Sequence, residues 1–251
     1  KRSLGQNFVV EPNTVCRIAE LAEVGAGDQV VEIGPGIGAL TLALCDTGAS
    51  VTAIEIDDTL VEVLNEVTNG RSVLIVHADA MKADWTKILG AGPWHLVANL
   101  PYNISVPLIC DLLDETPAVV SMLVMVQREV ADRLVADPGD AAYGLPSVKV
   151  NYHATAALVG KVPPSVFYPR PRVDSALVHI KRRLEPAVTA DAKTLFALVR
   201  AGFGQRRKML RRSLSAMITE EEIKAAGVEP TARAEELSLQ QWAAIADRVK
   251  K

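Results

Sequence analysis

Between a β-branched run and a run of helical character, the chain carries QVVEIGPGIGAL (29–40), with Gly34, Gly36 and Gly38 at alternate positions. A strand that ends in a glycine turn and feeds a helix leaves the first helical N–H groups facing whatever lies beyond the strand. The pattern then repeats. SVTAIEID (50–57), SVLIVHAD (72–79), HLVANLPY (95–102) and AVVSMLVMVQ (118–127) read as strands, and 38–46, 58–67 and 128–136 as helices. Alternation at this spacing predicts an α/β fold, an open and mostly parallel sheet with helices on both faces, whose ligands bind at the carboxyl ends of the strands. Upstream, NTVCRIAELAEV (13–24) predicts a helix capped by Asn13.

The later part of the chain changes character. A proline-rich stretch, PPSVFYPRP (163–171), leads to a last strand in VDSALVHIKR, and Glu185-Pro186 reads as a linker. Beyond it lie DAKTLFALVRAGFGQRRKMLRRSLSAM, then TEEEIKAAG with a Thr219 cap, then SLQQWAAIADRVK, all of helical pattern. The expected division is a catalytic domain over 1–184 and a small helical domain over 185–251.

With 251 residues, 49% of them hydrophobic, the chain can fill a substantial core. No apolar run is long enough to cross a bilayer, and the first residues, KRSLGQNF, lack the apolar centre of a signal peptide, so the cytoplasm is expected. Cys16, Cys45 and Cys110 are scattered through apolar-periodic segments and read as core residues. His77, His95, His153 and His179 lack metal-ligand spacing, so no metal is expected. The formal charge of -3 hides an asymmetry: residues 1–160 carry 9 basic against 20 acidic side chains, 161–213 carry 13 against 3, and 214–251 carry 5 against 7. A segment at +10 in an otherwise acidic chain points to a polyanionic partner.

The strand ends hold the chemistry. The glycine turn with Glu55 at the end of the second strand suits either a nicotinamide dinucleotide or S-adenosylmethionine, since both carry a ribose whose hydroxyls a carboxylate can bind. Asp79 can accept from an adenine amino group, and Asn99-Leu100-Pro101-Tyr102 has no part in hydride transfer. No arginine stands in or beside the glycine turn to meet phosphates. S-adenosylmethionine is the expected cofactor. For a methyl acceptor that is an aromatic exocyclic amine, the Asn99 side-chain oxygen and the Leu100 carbonyl can each accept one N–H. Pro101 restricts the Leu100 conformation, and Tyr102 offers a face for stacking.

Taken together, GQNF (5–8), VEIGPGIGALT (32–41), IEID (54–57), DAM (79–81), NLPYNIS (99–105), QREVADRLVA (127–136), YGLPSV (143–148) and FYPRPRVDSA (167–176) give a chain that resembles the ribosomal RNA adenine dimethyltransferases along its whole length. GQNF and NLPYNIS favour the small-subunit branch over the erythromycin-resistance enzymes that modify large-subunit rRNA. The resemblance implies a Rossmann-like S-adenosylmethionine-dependent methyltransferase fold with a small C-terminal helical domain, acting as a monomer on two adjacent adenines near the 3′ end of 16S rRNA in an assembling subunit. It further implies that Asn7 and Val9 close over the cofactor, that Gly34, Gly36 and Gly38 meet its methionine end, that Glu55 binds ribose and Asp79 adenine, and that Asn99 lies between cofactor and target. Phe167 is expected to clamp the target base opposite Tyr102. Val9 departs from the more usual Leu of this motif.

For the RNA, QRRKMLRRSL (205–214) predicts a helix with Arg206, Arg207, Lys208, Arg211 and Arg212 on neighbouring turns. Arg170, Arg172, Lys181, Arg182 and Arg183 could extend the phosphate-binding surface. Two readings from other classes stand beside the enzyme: a non-catalytic RNA-binding assembly factor on a methyltransferase scaffold, and a nicotinamide-dependent oxidoreductase, which would leave Asp79, the NLPY motif and the basic segment without a role.

Overall fold

The computed structural model describes residues 7–249. The chain folds as two units, 1–131 with 156–182, and 132–155 with 183–251.

The first unit is built on a seven-stranded sheet. After a short β1 (Phe8–Val9) and α1 (Pro12–Leu21), the chain runs β2 (Gln29–Ile33), α2 (Ala39–Asp46), β3 (Ser50–Glu55), α3 (Asp58–Val67), β4 (Val73–His77), α4 (Trp85–Leu89), β5 (Trp94–Asn99), α5 (Ser105–Glu115) and β6 (Val119–Gln127). It closes with α6 (Arg128–Val135), α7 (Leu145–His153), β7 (Ala154–Val162), β8 (Phe167–Tyr168) and β9 (Ser175–Arg182), the first two leading through the other unit. The sheet order is β4-β3-β2-β5-β6-β9-β7, with β2 to β6 parallel and β9 antiparallel to β6. The chain moves outward from β2 to β4 and returns to the other side of β2 as β5. That reversal opens a crevice beyond the carboxyl ends of β2 and β5, where the connections leave in opposite directions.

Burial explains why the strands read so clearly. Val30, Val31, Ile33, Leu96, Val97 and Met122 to Val126 are all at 2% exposure or less, as expected for strands covered on both faces. The sequence missed α4, α5, α7 and β7. Pro101 and Pro107 broke the periodicity around α5, and Pro146 with the β-branched Val148 and Val150 masked α7. The first helix is also capped differently. Glu11, not Asn13, is its N-cap, and its carboxylate accepts from the Asn13 and Thr14 N–H groups while Pro12 takes the first turn, where no N–H is needed. Of the cysteines, Cys110 is buried, Cys45 is half-buried and Cys16 is exposed, because Cys16 falls on the outer side of α1.

Arg182, expected on a phosphate-binding surface, is a structural residue instead. Its guanidinium donates to the carbonyls of Leu112, Leu113, Thr116 and Val119 and so satisfies the C-terminal end of α5. Burial lowers its pKa from the usual arginine value.

The second unit is helical, with α8 (Ala192–Gly204), α9 (Leu210–Ser213), α10 (Glu220–Ala225) and α11 (Leu239–Ala246) around Trp242, Tyr143, Leu195, Leu198 and Ile245. Thr219 and Ser238 each start a helix with a reciprocal capping box, to Glu222 and Gln241. The expected boundary at 184/185 falls beside the observed break at Arg182/Arg183, and 132–155 join the helical unit through bonds such as the Tyr143 hydroxyl donating to the Leu237 carbonyl at 3.0 Å. The basic segment does not form one helix. The helix α8 ends at Gly204, Arg206 to Lys208 lie in a turn, Met209 makes a β-bridge with Arg233, and Arg211 and Arg212 belong to the short α9. Leu210 and Leu214 are fully buried, so packing here overrides the helical spacing of the cations.

Candidate active site

The crevice beside β2 and β5 holds a cavity of about 270 Å³, lined by residues from β1, the glycine turn, the ends of β3 to β5 and the NLPY segment. Asn7, Val9, Gly34, Gly36, Glu55, Asp79, Asn99, Leu100, Pro101 and Tyr102 all contribute to its wall. Most of them sit where a strand ends, because parallel strands point their carboxyl ends the same way and the turns that follow converge.

The glycine turn is shaped by necessity. Gly34, Gly36 and Gly38 all have positive φ. At Gly36, φ is 60° and a Cβ would stand 2.7 Å from the Phe8 ring, so only glycine lets β1 close against the turn. Gly38 is the N-cap of α2 and does not reach the cavity. Glu55 is 4% exposed and is held by three backbone donors: Gly36 N–H at 3.2 Å, Ile56 N–H at 2.9 Å and Asp57 N–H at 3.0 Å. The Asp79 carboxylate accepts from the Met81 N–H at 3.0 Å.

At the other wall, Asn99 ends β5 and its Nδ2 donates to the Asn7 carbonyl at 2.8 Å. That bond fixes which end of the amide is nitrogen and leaves Oδ1 as the acceptor for anything beside it. Leu100 is 1% exposed and its N–H donates to Met125, while its carbonyl accepts no hydrogen bond among the described residues. The Tyr102 hydroxyl is tied to Ser175 Oγ at 2.8 Å, which pins the half-buried ring, and burial raises its pKa.

Two cavity features were not foreseen. Phe8, from the GQNF motif, covers Gly36; Gly5 and Gln6 of that motif lie outside the described residues. Glu32, an acid inside an otherwise apolar strand, was visible in VEIG but drew no role. It is 2% exposed, lines the cavity, and accepts from Thr41 Oγ at 2.6 Å. Phe167, by contrast, is not at the cavity. It pairs with Val9 across β1 and β8, is 4% exposed, and belongs to the apolar cluster beneath α1 and α2. Alternation along β8 turns it inward and leaves Tyr168 72% exposed.

The walls suit a cationic adenosine compound. Glu32, Glu55 and Asp79 are acidic, and no Lys, Arg or His side chain lines the cavity among the described residues. A dinucleotide's phosphates would meet only the same sign of charge. The model of the ribosomal RNA adenine dimethylase family matches residues 1–251.

The chain belongs to that family.

Membership makes it an S-adenosylmethionine-dependent rRNA adenine dimethyltransferase, with the Rossmann-like sheet of that class. Proteins named ribosomal RNA small subunit methyltransferase A from Streptomyces griseus and Kineococcus radiotolerans are each 48% identical to this dimethylase, over 97% and 98% of the chain and 87% and 84% of their own lengths. Among solved structures, the 23S rRNA methyltransferase ErmE is 29% identical with a TM-score of 0.76, over 96% of this chain and 99% of that one. A dimethyladenosine transferase from Plasmodium falciparum, 24% identical, shares the fold with a TM-score of 0.78 over 95% of both chains.

The five cations of the basic segment are all exposed but not equivalent. Arg206 pairs with Glu235 at 2.5 Å and donates to the Ala141 carbonyl, and Arg211 lies 3.9 Å from Glu220. Arg207, Lys208 and Arg212 have no ion-pair partner among the described residues.

Proposed function

We propose that this dimethylase converts two adjacent adenines near the 3′ end of small-subunit rRNA to N6,N6-dimethyladenine, on an assembling ribosomal subunit in the cytoplasm. The subunit assignment is supported by 48% identity to relatives named for the small subunit, against 29% to the 23S rRNA enzyme. The observation that carries the chemistry is the pairing of an oriented Asn99 amide with an uncommitted Leu100 carbonyl at the cavity wall.

Gly34 and Gly36 would hold the methionine end of the donor, Glu55 its ribose and Asp79 its adenine, with Asn7, Phe8 and Val9 closing over them. When bound, S-adenosylmethionine supplies a methyl carbon activated by its sulfonium. The target N6 lone pair is delocalised into the purine and is a poor nucleophile. Asn99 Oδ1 and the Leu100 carbonyl each accept one N–H, drawing the nitrogen toward a pyramidal geometry with its lone pair outward. Tyr102, pinned by Ser175, gives the purine a face to stack on. Alignment of this kind contributes roughly 7–11 kcal/mol to such a transfer, and preorganised acceptors a few kcal/mol more. The surplus proton on the methylated nitrogen leaves to water, and rotation about the C6–N6 bond presents the nitrogen for the second transfer.

In the helical unit, Arg207, Lys208 and Arg212 would contact phosphates, while Arg206 and Arg211 are partly neutralised by their glutamates. Incubation with labelled methyl donor and immature small-subunit particles, followed by mapping of the modified nucleotides, tests the reading. Label on two neighbouring adenines is expected; label on large-subunit RNA only, or none, overturns it.

A further inference from the structure

One carboxyl group in the cavity wall is used by none of these steps. Glu32 lies on β2, two residues before Gly34. Its Oε2 accepts from Thr41 on α2, and its Oε1 has no hydrogen-bond partner among the described residues. The titratable groups around it are Glu55 at the end of β3, Asp79 after β4, Cys45 on α2 and Tyr102 after β5, while α1 contributes only Val15 and Ile18. An ionised carboxylate in that setting is desolvated, faces another carboxylate and has no counter-charge. Burial, with a smaller contribution from Glu55, pushes the Glu32 pKa to about 8 against the opposing pull of the Thr41 hydrogen bond. In the ligand-free protein Glu32 is therefore mostly protonated at neutral pH.

We propose that Glu32 is the binding residue for the α-ammonium group of the methyl donor and gives up its proton to solvent as the donor enters. The inference rests on the donor assignment above. The ammonium is the cation that fits, because an open carboxylate oxygen needs a hydrogen-bond donor and a sulfonium has no N–H to offer. The balance is simple: the Glu32 carboxylic acid becomes a carboxylate, one proton passes to solvent, and the ammonium keeps its three hydrogens. S-adenosylhomocysteine carries the same ammonium. Product and donor should thus displace the same proton, and Glu32 tightens both without discriminating between them.

Calorimetric titration of the intact protein with S-adenosylmethionine, at pH 6.5 to 7 in two buffers of different ionisation heat, reads the proton directly. The expectation is net release approaching one proton per donor, with affinity tightening by up to about tenfold per pH unit. S-adenosylhomocysteine should release the same amount. Glu32→Gln, an isostere of the protonated acid that still accepts from Thr41, should bind at least about tenfold more weakly, release no proton and show affinity independent of pH in this range. Donor binding without proton release in the native protein overturns the proposal, whether or not the variant folds. So does release with the donor but not the product, or undiminished release in the variant. Absence of any saturable binding heat would instead sink the donor assignment, and this inference with it.

Discussion

Replacing Asn99 by alanine should cripple methyl transfer while sparing the fold. Among the described residues the side chain makes one hydrogen bond, Nδ2 to the Asn7 carbonyl, at a half-buried position at the end of β5, so its loss costs about 1 kcal/mol of stability. The catalytic loss is larger, because Oδ1 acts on an amine whose lone pair must be localised in the transition state. Loss of one such preorganised partner typically costs about 2.7–4 kcal/mol, or 10²–10³ in rate. Asn99→Asp separates the two roles. It keeps an acceptor oxygen but loses the N–H that holds the amide to Asn7, and it sets a carboxylate against that carbonyl, so it too should fall well below the native rate. Single-turnover transfer of labelled methyl to immature small-subunit particles, with saturating donor and a melting curve on each variant, gives the numbers. A rate for Asn99→Ala within about threefold of native, at unchanged melting temperature, would remove the amide from the mechanism.

Gly36→Ala should lower donor affinity by at least about tenfold in calorimetry and shift the melting temperature down, since it places a Cβ 2.7 Å from the Phe8 ring at a φ of 60°, where the backbone term alone costs about 1–2 kcal/mol; unchanged affinity would mean that β1 does not close on the turn. Arg182→Met should destabilise the protein by about 2–4 kcal/mol in denaturant unfolding, because the Leu113 and Val119 carbonyls lose the guanidinium and the Leu112 and Thr116 carbonyls keep only their backbone donors, and should not alter the salt dependence of RNA binding. Reversing Arg207, Lys208 and Arg212 to glutamate should weaken RNA binding and flatten its salt dependence, whereas Arg206→Ala, which removes a cation already paired with Glu235, should change the slope little; equal effects would show the two groups to be equivalent. For ligand-free protein, a carboxyl with a raised folded pKa favours folding below its unfolded value and loses that contribution as pH rises toward about 8, so the melting temperature of Glu32→Gln relative to native should climb between about pH 5 and about pH 8; a constant difference would contradict the raised pKa.

By itself the sequence determined the alternating frame and which polar residues stand at its strand ends. Val30, Val31, Leu96 and the Met122 to Val126 run are apolar because both faces of a parallel strand are covered, and that leaves a local signature. Gly34, Glu55, Asp79 and Asn99 were legible as a group because each ends or follows a strand, and one sheet brings all such ends to one side. Tertiary structure alone decided which way ambiguous residues faced. Phe167 turns into the core because β8 pairs with the distant β1, a partner invisible to any local window. The cations at 205–214 keep helical spacing in sequence, yet Leu210 and Leu214 are drawn into the helical core and Met209 bridges to Arg233, which breaks the helix between them. Arg182 and Glu32 carry the same lesson for charge. A side chain's charge is written in the sequence, but whether it meets water, carbonyls or another carboxylate depends on neighbours that only the folded chain supplies.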